Sequence, residues 1–167
     1  MFSRILTASL LLSISATVAS ATAVEWTLTK APLELVGMPT DQGEEPDYVI
    51  RLTCKKGAVV QIGLGAYKDL GNGKAEPLSV TLISATQTVA LSGKPAPSKN
   101  WNMTASSELR TEMPVSSMDK LSAVFATGEP ITVSGAITDV WTVSAKRKKK
   151  AALKSLYRAF GEGCSKK

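Results

Sequence analysis

The sequence predicts a mainly β domain of the α+β class: one antiparallel sheet or sandwich with two short helices, the second stapled to a strand by a disulfide. Three observations carry this expectation. Apolar and polar residues alternate with period 2 through most of Glu25–Ser92. Two later segments instead repeat at helical spacing. The chain holds only two cysteines, one on a strand-like run and one just after the last helix-like stretch.

The strand pattern begins with Trp26 and Leu28 alternating with Thr27 and Thr29. A Gly/Pro/acid loop is expected over Gly37–Asp47. Tyr48, Ile50, Leu52 and Cys54 then share one strand face, with Arg51 and Thr53 on the other, so Cys54 points the way the core residues point. Lys55-Lys56-Gly57 reads as a turn, and Val60, Ile62 and Leu64 continue as the returning strand of a hairpin. Gly71-Asn72-Gly73 marks another turn. Leu78, Val80 and Leu82 form the next strand, and Val89 and Leu91 a short one after it. Gly93–Asn100, with Pro95 and Pro97, is a connection, since neither side is long enough for a second core. Trp101 and Met103 open a further strand-like piece.

Ser116 or Ser117 caps the first helix, with Asp119 in a capping-box position after Ser116. Its apolar stripe is Met118, Leu121, Val124 and Phe125, and Gly128 ends it. Ile131 with Val133, and Trp141 with Val143, make two more strands. The last element is a helix from about Lys148 to Phe160. Leu153, Leu156, Tyr157 and Phe160 fall at i, i+3, i+4 and i+7, a narrow stripe fit to pack on a sheet. Arg147, Lys150, Lys154 and Arg158 cluster beside it. Gly161 and Gly163 are expected to stop the helix, with Cys164 next. No internal repeat is visible.

Residues 1–23 have the order of a secretory signal peptide. Arg4 supplies the positive end, Ile5–Val18 the apolar run, and Ala19, Ala21 and Ala23 the small residues of the cleavage pattern, after Ala21 or Ala23. The run is too short and too rich in Ser and Thr for a membrane anchor, and no later segment is apolar enough to span a bilayer. Removing 23 of 167 residues leaves 144 as a single β-rich domain, residues 24–167, ending in a basic amphipathic helix. A periplasmic or secreted location follows, and there two cysteines default to a disulfide, Cys54 to Cys164. Closing so long a loop stabilises the fold by roughly 4 to 5 kcal/mol in the chain-entropy account.

The chemistry is sparse. The chain has no histidine, which removes His-based triads and most zinc sites. With both cysteines bridged, thiol nucleophiles go too, and no GxSxG, HExxH, EF-hand or P-loop pattern occurs. No cofactor is expected. Ser117-Met118-Asp119-Lys120 is an S-x-x-K, in which a Ser lies one helical turn from a Lys that can take its proton. The later elements that complete such sites are missing, so a helix-capping Ser with a solvated Lys is the simpler expectation; a small serine hydrolase using Ser117 and Lys120 is the alternative. Asp41, Glu44, Glu45 and Asp47 form an acidic loop that matches no calcium-loop template. Trp26, Trp101 and Trp141 read as core strand residues.

The formal charge is +6, with nine of the twenty Lys and Arg residues between Lys146 and Lys167. Lys150, Lys154 and Arg158 form the candidate contact surface, fit for an acidic patch of another envelope protein or an anionic envelope surface. Nucleic acid is disfavoured by export. The function expected from these residues is a non-catalytic accessory or binding protein.

The order of elements resembles that of small exported proteobacterial proteins, including the type VI secretion-associated VasI/TagO-like group. The residues that carry the likeness are an early strand with Cys, Arg51-Leu52-Thr53-Cys54, then a helix and strand, Met118–Phe125 and Pro130–Ser134. A second strand and a helix closed by Cys follow, Trp141–Ser144 and Ala151–Cys164. Polybasic Lys146–Lys150 stands where that group usually shows a Gly-containing turn. The resemblance implies a Gram-negative host and an envelope accessory role, and it carries over no catalytic residue.

Overall fold

A computed structural model describes residues 21–40, 48–66, 70, 76–97, 107–127, 129–143 and 150–166. The strands are β1 (Thr22–Lys30), β2 (Leu33–Pro39), β3 (Ile50–Lys55), β4 (Val59–Ala66), β5 (Leu78–Ile83), β6 (Thr88–Pro97), β7 (Ser107–Pro114), β8 (Ile131–Gly135) and β9 (Asp139–Val143). The helices are α1 (Met118–Ala126), entered through a 3-10 turn at Val115–Ser117, and α2 (Lys150–Cys164).

The β-rich character, the two helices and the disulfide are as expected. The sheet, however, is neither open nor a sandwich. It closes into a barrel in the order β1-β2-β3-β4-β7-β6-β5-β8-β9. All neighbours are antiparallel except β1 and β9, where Thr22 pairs with Trp141 and Val24 with Val143 in parallel. Parity explains the exception: antiparallel neighbours alternate direction, and an odd ring must contain one parallel contact. Closure removes the unpaired edges an open sheet would expose. The Thr22 hydroxyl also donates to the Asp139 carboxylate at 3.2 Å, fixing the start of β1 against β9.

Two strands lie where none was expected. β2 covers Gly37, read from the sequence as the start of a loop. Gly37 faces inward opposite Trp26, and a methyl there would stand 2.9 Å from Val24 and Ile50 side chains and 3.4 Å from the Trp26 ring. Its missing side chain is the space the indole occupies. β7 carries Glu108, Arg110 and Glu112 outward and buries Leu109 against β4. The expected pieces at Trp101–Met103 and Gly71–Gly73, and the acidic loop, lie outside the described residues.

β7 ends, β8 begins and β9 ends at the mouth that also holds the β3–β4 turn, so both helices are delivered there. They pack on each other and on inward-facing side chains. Phe125 sits centrally, 4.9 Å from Trp26 edge to face, 5.9 Å from Tyr157 and 6.4 Å from Trp141 by ring centroids. Trp26 and Trp141 are thus core residues as expected. Such aromatic contacts add about 0.5–1.5 kcal/mol each beyond burial.

α2 buries Leu153, Tyr157 and Phe160, with Leu156 partly covered, as the stripe predicts. It does not stop at Gly161. It runs through both glycines to Cys164, four residues beyond Phe160 on the same face. A methyl at Gly163 would stand 2.9 Å from Leu33, so glycine lets this last turn close on β2. Each helical glycine costs about 1 kcal/mol relative to alanine, offset here by packing and by the bond to Cys54. That bridge has an S–S distance of 2.09 Å and a Cα–Cα separation of 5.4 Å, within the unstrained Cα range. Cys54 continues the inward face of Ile50 and Leu52, as its phase requires. The backbone N–H of Val115 donates to Ala58 C=O at 2.9 Å, so the entry to α1 is tied to the same hairpin.

Candidate functional site

Of the three predicted contact residues, Lys154 and Arg158 are exposed on α2, and Lys150 is its first residue. Arg158 Nε donates to Glu162 Oε1 at 2.7 Å, one turn on. The hydrogen bond and charge of Glu162 raise the Arg158 pKa. Both side chains are solvated, so the pair contributes little to stability. Between α1 and α2 runs a groove of about 310 Å³ in which Lys154 and Arg158 meet Asp119 and Glu162. Lys146–Lys149 lie outside the described residues.

Ser117 precedes α1 with a helical backbone, φ −90° and ψ −2°, and its side chain makes no capping hydrogen bond. The expected cap chemistry is therefore absent, because capping needs an extended residue that turns its oxygen back on the first free N–H groups. Lys120 is exposed, and among the described residues no hydrogen bond joins it to Ser117.

A second constellation was not expected. β2, β3, β4 and β7 lie side by side, and their outward residues enclose a polar basin of about 250 Å³. Arg51, Gly63 and Arg110 stand in register across β3, β4 and β7. Glu108 is 6% exposed although it points out of the barrel. Its Oε1 accepts from Arg110 Nε at 2.8 Å and from Arg110 Nη2, and its Oε2 accepts from the Tyr48 hydroxyl. The Arg51 guanidinium lies 4.2 Å above the centre of the Tyr48 ring. Glu34 accepts from Thr53 Oγ1 at 3.2 Å at the rim, and Lys55 lies exposed at the end of β3.

Glycine makes this arrangement possible. A methyl on Gly63 would stand 2.6 Å from Glu108 Oε2, and one on Gly65 would stand 2.3 Å from the Tyr48 carbonyl oxygen. The two residues notch the outer wall, and Glu108 and Tyr48 fill the notch. A signal for it exists in the sequence: two glycines two apart on a strand mark relief on one face, and Glu108-Leu109-Arg110 alternates charge with a core residue.

No group of three or more acidic or cysteine side chains among the described residues is placed to hold a metal ion. No helix among them is long and apolar enough to cross a membrane. Compared with protein-family models, curated proteins and solved structures, the chain matches none.

Proposed function

We propose that this is an exported, non-catalytic binding protein of the bacterial envelope whose α2 outer face meets an acidic protein patch or an anionic envelope surface. The observation that carries this reading is the covalent hold on α2. Its apolar face is buried, its end is bonded to β3, and Lys154 and Arg158 remain exposed. A helix fixed in this way presents charge without ordering a flexible segment on binding, which lowers the entropic cost of association. The bridge also supports an oxidising compartment. The succession of Cys strand, helix and Cys-closed helix that resembles the VasI/TagO-like group supports an accessory role in a Gram-negative envelope.

In this reading the signal peptide is removed after Ala21. Thr22 and Ala23 are rungs of the closing β1–β9 pair, so cleavage after Ala23 would delete two of its three register partners and the Thr22–Asp139 hydrogen bond.

The test compares wild type with a Lys150→Glu/Lys154→Glu/Arg158→Glu protein for sedimentation with phosphatidylglycerol vesicles and for recovery of partners from envelope extract. Loss in either arm, with an unchanged melting transition, supports the reading and shows which surface is met. Binding should also weaken with salt, since exposed charges are screened over ~8 Å at physiological ionic strength. Equal behaviour of the two proteins in both arms contradicts it.

A further inference from the structure

At the mouth opposite the helices β1 starts, β4 ends and β8 turns into β9, and their residues line a cavity of about 360 Å³. Asp139 stands two residues before the buried Trp141 on β9, so it faces into the barrel. Thr22 pairs with Trp141 in the parallel register and turns the same way. Three donors hold the carboxylate: the Trp141 Nε1–H at 2.7 Å, the Val140 N–H at 2.7 Å and the Thr22 hydroxyl at 3.2 Å. All three are neutral. Among the described residues no Lys or Arg lines the cavity, and no salt bridge reaches Asp139. A half-buried, oriented carboxylate thus keeps a negative charge that these neighbours do not cancel.

We propose that Asp139 is the binding site for the α-ammonium group of the processed chain, so that removal of the signal peptide completes the β1–β9 seam. This rests on cleavage after Ala21. Hydrolysis of the Ala21–Thr22 bond consumes one water, leaves a carboxylate on Ala21 and frees the nitrogen of Thr22, which takes up a proton near neutral pH. That nitrogen is three bonds from the hydroxyl oxygen already on Asp139, and as a chain end it can close on the carboxylate. Before cleavage the same nitrogen belongs to a neutral amide and has no charge to offer. The ammonium therefore supplies the missing cation at the first rung of the parallel pair, where a charge-assisted hydrogen bond is roughly twice as strong as a neutral one. A chain beginning at Val24 would carry its ammonium opposite Val143, four residues along β9 from Asp139. A carboxylate that merely anchored Trp141 and Val140 would not need its charge, because an amide oxygen accepts there too.

The experiment expresses the full chain in a Gram-negative host and fixes the first residue of the exported product by intact mass. Acylation of its terminal amine by an N-hydroxysuccinimide ester is then followed at about pH 7, with lysine labelling as the internal reference. Only the uncharged amine reacts, and a neighbouring carboxylate holds the proton on. Asp139→Asn should therefore label Thr22 about tenfold faster than wild type, while a change at the exposed Glu129, Glu129→Gln, leaves the rate as it is. Should Asp139→Asn lose its cooperative melt, wild type is compared folded and in urea, with about tenfold slower labelling in the folded state expected. A chain that begins at Thr22 and labels equally in wild type and folded Asp139→Asn overturns the pairing alone and leaves the carboxylate to a cation from solution. Equal labelling of folded and unfolded wild type does the same. A chain that begins at Val24 overturns the cleavage reading and the pairing with it.

Discussion

Two neighbouring rungs of the barrel wall, one residue apart on each strand, do opposite work. Ile50, Leu64 and Leu109 stand in register across β3, β4 and β7, and all three are fully buried. The next rung, Arg51, Gly63 and Arg110, lies on the outer face and carries charge around a gap. The inner rung is held by area removed from water, which tolerates rearrangement but not loss of volume. The outer rung is held by a few directed hydrogen bonds, which tolerate little rearrangement but contribute less each. Strength and chemistry are thus separated across the thickness of one sheet.

Changes on the inner side should have the largest effects. A Cys54→Ala/Cys164→Ala protein should lose roughly 4 to 5 kcal/mol of unfolding free energy, since the bridge closes a loop of 110 positions. Chemical denaturation of the two proteins side by side measures this. The double variant avoids the free thiol that a single one leaves. Leu64→Ala should cost about 3 kcal/mol in the same assay, within the range for a buried leucine.

On the outer rung, Gly63→Ala should cost about 1 to 2 kcal/mol. The new methyl forces Glu108 away and breaks its bonds to Tyr48 and Arg110. Circular dichroism should show the sheet content unchanged, because the clash is with the end of a side chain. A Gly63→Ala cost as large as that of Leu64→Ala would erase the distinction between the two faces.

The smallest effect belongs to Tyr157. Its hydroxyl is buried with no hydrogen-bond partner among the described residues, and burial raises its pKa well above 10.0. Tyr157→Phe should be neutral or stabilising by up to about 1 kcal/mol near neutral pH. The pH dependence follows from the direction of the shift. Below the unfolded pKa both states keep the proton, and Tyr157 adds no pH dependence. Above it the unfolded chain ionises while the folded one does not, so stability falls as pH rises past about 10. Melting curves at about pH 9 and about pH 11 should show a smaller drop for Tyr157→Phe than for wild type.

Much of the inner face was legible in the sequence, because alternation over Ile50–Cys54, Val60–Leu64 and Leu78–Leu82 reports directly which residues turn inward; Tyr48, read as sharing that face, instead lies on the outer wall against Glu108 and Arg51, and Val49 joins the core in its place. The phase of Cys54 and the stripe of α2 together brought the two cysteines to the same place. Other parts were not legible, among them the second half of β6, where Gly93, Pro95 and Pro97 read as a connection although Lys94–Pro97 pair with β7. β2 was hidden by Gly37 and Pro39, residues that usually punctuate loops; at Gly37 the glycine is instead the space for Trp26. α2 was cut short for the same reason, since Gly161 and Gly163 read as a helix stop unless the close approach to Leu33 is known. Closure into a barrel depends on β7, whose inward face holds Leu109 between the polar Ser107 and Thr111 and gives too little contrast to read as a strand. The basin was lost with it. Arg51, Gly63, Glu108 and Arg110 come from three strands, and only their register brings them together. The predicted contact residues on α2 needed no such register, because helical spacing alone places Lys154 and Arg158 on one side.

The central claim is that a closed barrel carries α2 on its mouth by a covalent bond formed in an oxidising compartment. Intact mass of the protein recovered after expression of the full chain in a Gram-negative host, alkylated with and without prior reduction, tests it most directly. The predicted result is a chain beginning at Thr22 that takes up no alkylating groups before reduction and two after it. Two alkylated thiols without reduction, at Cys54 and Cys164, would contradict the account.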